Sequence, residues 1–215
     1  MKNLVIVGKG GFASELIDYI NNDEFKIKCF IEIYLKEDKT EIYFYKSLDD
    51  NEKSIYEFDK KDFFVIALGD VNLRRKIITY LKTKNVKFAN IIHKSAYINS
   101  SSILGEGLII SPFSIVNANA RLKDFCTLNV YCSVGHDSEL GENAVLSPYS
   151  SLNGNVKTGK DLFMGAMSTI LPKVIVSDNC IISAGTILKK NLDNNQIVFS
   201  DSKNKILKIR EVPKT

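Results

Sequence analysis

From residue 92 onward the chain repeats a hydrophobic position every six residues. Stepping by six from Ile92 to Leu188 meets seventeen positions, and only Thr158 among them is not apolar. Four residues after each stands a mostly small side chain, such as Ala96, Ser102, Ser114, Ala120, Cys126, Cys132, Ser138, Ala144 and Cys180. One residue after each, glycine and asparagine dominate, as at Asn99, Gly105, Asn117, Asn129, Gly135, Gly141, Asn153, Gly159 and Gly165. A six-residue period of this kind predicts a parallel β-helix. Each hexad supplies a short strand and a corner, and three hexads close one coil of about 18 residues. The aliphatic side chain points inward, and the small residue fits where the triangular section narrows. The glycines and asparagines are expected to take the left-handed backbone that a corner demands. Pro112, Pro148 and Pro172 fall at the third place of their hexads, which therefore needs no ladder N–H. About five coils are predicted, roughly 25 Å tall at about 4.8 Å per strand.

The first 90 or so residues follow a different rhythm. Lys2–Val7 is a short apolar strand that runs into the glycine turn Gly8-Lys9-Gly10-Gly11-Phe12-Ala13. Ser14 to Asn21 reads as a helix, with Leu16, Ile17 and Ile20 on one face. Strands are predicted at Lys26–Ile33 and Phe63–Leu68, and a second helix at Leu73–Lys84. Strands alternating with helices predict a parallel α/β sheet of Rossmann-like character. A glycine turn between strand and helix lets a phosphate approach the backbone and the free N–H groups of the helix start. Glu32 stands near the end of the second strand, where an acidic residue can hold a ribose hydroxyl. The same turn also serves sheets that bind nothing. A region of about 90 residues is roughly half of a full dinucleotide fold, so a mononucleotide or nucleotide-sugar fits it better than NAD. Three regions are expected: 1–90 for nucleotide-sugar binding, 91–191 for the β-helix, and 192–215 as a C-terminal tail.

Composition narrows the partners. The formal net charge of +4 is spread along the chain without a dense basic block, so nucleic acid is not expected. No apolar run approaches the roughly 18 residues that span a bilayer, and the apolar start is too short for a secretory segment. The protein is expected to be cytoplasmic, without membrane insertion. Cys29, Cys126, Cys132 and Cys180 form no CxxC pair, and the last three occupy the small inward place of the repeat. They read as core residues, neither metal ligands nor nucleophiles. With two histidines in the chain, no Cys/His zinc site is expected, and a β-helix enzyme using three histidine ligands is excluded.

Chemistry on a β-helix must come from corners and outer faces. His136, at the third place of its hexad, projects outward and is followed by Asp137. An imidazole titrates near neutrality and suits a general base, and an adjacent carboxylate can fix its tautomer. One coil later, 18 residues on, stands Gly154. Its bare backbone N–H beside the base could hold an oxyanion, so His136, Asp137 and Gly154 form the catalytic candidate. An exposed corner histidine without a role is the plainer alternative. His93, in NIIHKSA, is read as structural.

The segments GKGGFASE, FFVIALGD with Arg74 following, NIIHKSA, and LNVYCSVGHDSELGENAVLSPYSSLNGNVKTGKDLFMGAMSTILP together resemble the hexapeptide-repeat sugar O/N-acyltransferases. That group includes sialic acid O-acetyltransferases and the PglD-like N-acetyltransferases of UDP-4-amino sugars. The resemblance covers nearly the whole chain. It implies a left-handed coil, a sense the repeat alone does not determine, since it runs against the usual crossover hand. It implies acetyl-CoA as acyl donor, no metal, and His136 as base on an amine or hydroxyl. It implies nucleotide-sugar contacts from Gly8, Gly10, Gly11, Phe12, Glu32, Ala67, Gly69, Asp70 and Arg74. Acetyl-CoA would lie near Gly154, Gly165, Ala166, Ala184 and Gly185, in a groove between subunits of a homotrimer. Two features depart from the family pattern. Phe12 replaces a histidine common after the double glycine. The segment Val198–Lys203 lacks the glycine and proline that often border CoA. The expected activity is N-acetylation of a UDP-linked amino sugar for a surface glycan, with sugar O-acetylation or a non-catalytic scaffold as alternatives.

Overall fold

In the computed structural model, residues 1–35, 42–47 and 53–200 are described. The N-terminal elements are β1 (Lys2–Val7), α1 (Gly11–Ile17), β2 (Phe25–Leu35), β3 (Ile42–Ser47), β4 (Lys53–Ile55), β5 (Phe63–Ile66), α2 (Val71–Thr83) and β6 (Lys87–Phe88). They build one sheet in the order β4-β3-β2-β1-β5-β6. β1 runs parallel to β2 and β5, and β5 parallel to β6. β3 is antiparallel to β2, and β4 to β3. The three strands expected from the sequence are parallel, and β3 and β4, which its pattern did not predict, add an antiparallel edge. Too few residues separate Leu35 from Ile42 for a parallel crossover, which needs about a dozen or more. α1 begins three residues earlier than its apolar pattern suggested, because Gly10 already caps it in an extended conformation.

Alternation along β1 feeds two cores. Val5 and Val7 pack with Ile77, Ile78 and Leu81 of α2. Leu4 and Ile6 pack with Ala13 and Leu16 of α1, and with Ile91 and Ile109 of the first coils. The sheet thus has one helix on each side, and the solenoid meets both cores, through Phe125 on the α2 side and through Ile91 and Ile109 on the α1 side. Asp62, just before β5, is fully buried and bonded by Lys28, Tyr56 and Asn3. Burial pushes its carboxyl up, but those three donors outweigh it and leave the group below the usual carboxylate range.

From Ile91 the chain winds into a left-handed parallel β-helix. Its three faces carry seven, six and five two-residue strands. Partners stand 18 residues apart, as in Ile109↔Thr127 and Ser133↔Ser151. The aliphatic position of each hexad is buried through most of the stack, with Cys126, Cys132 and Cys180 beside it in the core. The coil continues past residue 191, where a tail was expected. Leu192 bridges Val176, and Ile197–Val198 pairs with Ile181–Ile182. That last turn is 16 residues long, as the Asn179–Asn195 bond shows, so it breaks the six-residue register and hides from it. The residues of the tail from 201 to 215, including the end of the Val198–Lys203 segment, lie outside the described residues.

The left-handed residues are also differently placed than expected. They stand three positions after the aliphatic residue, at Phe113, Asn119, Phe125, Tyr131, Asp137, Asn143, Tyr149, Asn155, Asp161, Met167, Lys173 and Asn179. The glycines one position after it have another reason. At Gly135 a Cβ would stand 2.5 Å from the backbone carbon of Asn153 in the next coil. Close approach of coils, not φ, demands glycine there.

One buried cation joins the two parts of the chain. Arg74 of α2 is fully buried. Its guanidinium donates to Ile66 O and Asn143 Oδ1, both at 2.9 Å, to Leu68 O at 3.1 Å and to Phe125 O at 2.5 Å. Asn143 in turn donates to Val71 O and Asp161 Oδ1, and Asp161 pairs with Arg75 at 2.9 Å. Burial lowers the Arg74 pKa to about 10, so it stays charged at neutral pH. This corrects the expectation that Arg74 contacts substrate: it has no exposed surface, and carbonyl and amide oxygens on both sides of the domain joint accept from it.

Arg74→Ala is expected to destabilise the chain by about 3 kcal/mol, because several buried acceptors lose their donor. A urea titration of the full-length protein checks this, and an unchanged midpoint contradicts the latch. Asp62 contributes stability above the ordinary carboxylate pKa, and that contribution fades as pH falls through its lowered folded value. Wild type and Asp62→Asn should therefore converge in stability as pH falls below the ordinary carboxylate range of about 4, when melted across a pH series.

Candidate active site

The three faces of the prism meet at three columns of corners. The first face, running from Ile91–Ile92 to Ile197–Val198, carries the N-terminal domain through Ile91 and Ile109. Phe125 and Asn143 extend that contact along one edge. His136 and Asp137 lie between strands Ser133–Val134 and Glu139–Leu140, on the corner joining the other two faces. That corner is opposite the face bearing the N-terminal domain.

His136 is 60% exposed at its side chain, and its Nδ1 stands 2.8 Å from Asp137 Oδ2. Asp137 has a φ of 58°, which swings its carboxylate back along the corner toward the preceding ring. Its other oxygen accepts from Asn119 Nδ2 at 3.0 Å. The hydrogen bond to His136, then that from Asn119, hold the Asp137 carboxyl below its ordinary range. A proton on Nδ1 is thereby favoured, leaving Nε2 as the free acceptor.

Gly154 sits against the open edge of that ring. A Cβ there would collide with Nε2 and would come within 2.7 Å of Cε1. The ladder explains the contact: Gly135 N–H donates to Leu152 O at 2.8 Å, and Asn155 N–H to His136 O at 2.9 Å. Among the described residues, the Gly154 N–H has no protein acceptor. The sequence reading put these three residues together, and they are together. Asn119 was missed, although the same 18-residue step counted backward from Asp137 leads to it.

The residues expected to hold a nucleotide-sugar divide into groups. Gly8, Lys9, Gly10, Glu32, Ile33, Leu68 and Leu73 line one cleft of about 460 Å³. Glu32 lies 3.5 Å from Lys9 within it. Gly8 has a φ of 120°, and a Cβ on it would strike Ala67 O at 2.5 Å. Gly11 is exposed at the start of α1, whereas Phe12 is half-buried against the α1 core. Ala67 is buried beneath Gly8 and offers no surface, which corrects its expected role as a contact. Gly69 and Asp70 line a separate cleft of about 230 Å³ against the solenoid, with Asp161, Phe163 and Asn179. Asp70 caps α2 by accepting from Leu73 N–H at 2.8 Å.

The expected CoA residues stand at two corners. Gly165, Ala166, Ala184 and Gly185 gather at the top of the corner that carries Tyr131, where Gly185 N–H donates to Ala166 O at 2.8 Å. Gly165 is buried under Ala184, whose Cα would lie 2.8 Å from an added Cβ. Gly154 belongs to the His136 corner. His93 bonds Ser95 through Nδ1 and meets Tyr19 edge-on at 5.7 Å, where the N-terminal domain joins the first coil.

The fold is that of a hexapeptide-repeat β-helix protein with a small α/β domain in front, and the candidate site is a histidine–carboxylate pair on an outer corner. Residues 3–81 match the family model of the PglD N-terminal domain. The chain is 23% identical over 145 residues to a GDP-perosamine N-acetyltransferase of Escherichia coli O157:H7, covering 65% of this chain and 55% of that protein. It is 25% identical over 111 residues to a UDP-N-acetylbacillosamine N-acetyltransferase of Bacillus subtilis strain 168, covering 51% of each. It therefore spans about half the length of the curated relatives it matches. PerB of Caulobacter crescentus, solved with CoA and GDP-perosamine, shares the fold at a TM-score of 0.73 and 23% identity, over 91% of this chain and 92% of that one. Among the described residues, no helix is long and apolar enough to cross a membrane.

Gly8→Ala should destabilise the N-terminal domain by about 1–3 kcal/mol, since φ and contact both forbid a Cβ. Thermal melting of the full chain checks it. An unchanged melting temperature means that the turn can relax.

Proposed function

We propose that this protein transfers an acetyl group from acetyl-CoA to the amine of a nucleotide-linked amino sugar. The observation that carries the reading is the His136–Asp137 pair, whose Nε2 faces a glycine with an unengaged N–H. The sugar nitrogen attacks the thioester carbonyl of acetyl-CoA. His136 Nε2 takes the proton that the nitrogen sheds, and the Asp137 carboxylate stabilises the imidazolium so formed. The Gly154 N–H donates to the oxyanion of the tetrahedral intermediate. Collapse breaks the C–S bond, and the proton passes from His136 to the departing CoA thiolate. The chain's own residues supply every proton position, and no metal is required.

The nucleotide part is assigned to the Gly8–Glu32 cleft, with UDP as the carrier first expected. The relatives' names include both a GDP- and a UDP-linked sugar. The cleft belongs to the N-terminal domain, which covers one face of the prism, and His136 stands on the corner opposite that face, an arrangement that supports a site completed by a neighbouring copy in a homotrimer. Two further features support such packing. Phe113, Tyr131 and Tyr149 form an exposed stacked column at 5.0 and 4.9 Å along one corner. The expected CoA residues Gly165, Ala166, Ala184 and Gly185 lie at the top of the same corner.

Thiol release from acetyl-CoA, measured against UDP- and GDP-linked 4-amino sugars and against sialic acids, tests the activity. Turnover with a nucleotide amino sugar is the expected result, and turnover with sialic acid alone replaces it by O-acetylation. His136→Ala should lower kcat by about 10²–10⁴-fold, the range for a lost general base. Equal turnover by that variant overturns the assignment of His136. Light scattering should give three times the mass of the 24.1 kDa chain.

A further inference from the structure

We propose that Asn119 is a positioning residue for the base, holding the Asp137 carboxylate from one coil below. The proposal rests on the reading of His136 as base. Asn119 Nδ2 donates to Asp137 Oδ1 at 3.0 Å, and Asp137 Oδ2 meets His136 Nδ1 at 2.8 Å. Both Asn119 and Asp137 have a φ of 58°, so the two side chains leave consecutive coils in the same direction. Asn119 is itself held, because its N–H donates to Ser101 Oγ at 2.9 Å. The line Ser101–Asn119–Asp137–His136 climbs one edge of the prism and ends at the ring that touches Gly154.

The chemistry of the amide suits this place. An exposed carboxylate on a corner samples several rotamers, and each one that leaves Nδ1 releases the ring. Anchoring one oxygen keeps the other aimed at Nδ1. A carboxamide donates to that oxygen without adding charge. A lysine there would neutralise Asp137, and an aspartate would repel it. The charged side chains on the strands beside this corner are Arg121, Glu139 and Lys157, with Lys173 higher in the same column. Among the described residues, none of them makes an ion pair with His136.

Nitrogen NMR of the two imidazoles in the full-length protein tests the idea without substrate. His136→Ala identifies the His136 signals. Wild type should show neutral His136 chiefly as the Nδ1–H tautomer. Asn119→Gly deletes the amide while tolerating the left-handed backbone. It should shift the ring toward the Nε2–H tautomer and lower kcat roughly ten-fold, the lower end of what losing an outer partner costs a metal-bound histidine. The KM values for both substrates should not move. Asn119→Asp, which also tolerates that backbone, adds a carboxylate beside the pair. It stabilises the imidazolium, so the acid limb of the kcat profile should move to higher pH. If Asn119→Gly keeps the wild-type tautomer ratio and Asn119→Asp keeps the wild-type pH profile, the proposal falls. If the tautomer shifts but His136→Ala turns over normally, the positioning role stands and the base assignment fails.

Discussion

The backbone ladder between coils is the constraint on which the rest of this structure depends. Strand N–H groups of one coil donate to carbonyls of the next, as Gly135 does to Leu152 and Asn153 to Ile170, and corner N–H groups such as that of Asn155 donate back to the coil before. Main-chain bonds make this stack, so its register does not depend on which side chains decorate the outside. Residue i therefore lies under residue i+18 through the regular part of the solenoid. That rule puts Gly154 over His136 and Asn119 under Asp137, and it does so without any bond between their side chains having to hold the coils together. Chemistry can then be written onto a corner at little cost to folding, since the apolar interior carries the stability.

Corners of this prism require a left-handed residue, and bulky L-residues pay about 1–2 kcal/mol for that conformation. Phe113, Tyr131, Tyr149 and Met167 nevertheless occupy it along one edge. Asparagine and aspartate take it more readily, and they fill most of the other two edges. At Asp137 the same conformation has a chemical consequence. It folds the carboxylate back onto the preceding imidazole, so the geometry of a turn becomes the geometry of a histidine–carboxylate pair. The turn of the corner and the pairing of the two side chains thus share one dihedral angle.

Arg74 does comparable work for the assembly of the two domains. A charge buried without a carboxylate beside it is costly unless every donor is used. Here the acceptors come from the β5–α2 connection on one side and from Phe125 and Asn143 of the solenoid on the other. Satisfying the guanidinium therefore fixes how α2 meets the coil. It also fixes which face of the prism the N-terminal domain covers, and so leaves the His136 corner on the far side.

Much of this was legible in the sequence. The six-residue period alone determined the solenoid, its inward positions, the core role of Cys126, Cys132 and Cys180, and the stacking of Gly154 on His136, because a repeat with a backbone ladder has only one way to stack. The strand–turn–helix start was legible from the apolar runs around Gly8. Other features needed the tertiary structure. The last turn shortens to 16 residues, so no fixed period could find it. The antiparallel β3 and β4 follow from a short connection that propensity does not show. The family resemblance made Arg74 an expected ligand contact, and only the packing of the solenoid over it shows that its partners are main-chain oxygens and the Asn143 amide. That the N-terminal domain covers the face opposite the His136 corner was likewise unavailable from spacing, since which face a domain covers is decided by contacts far apart in the chain.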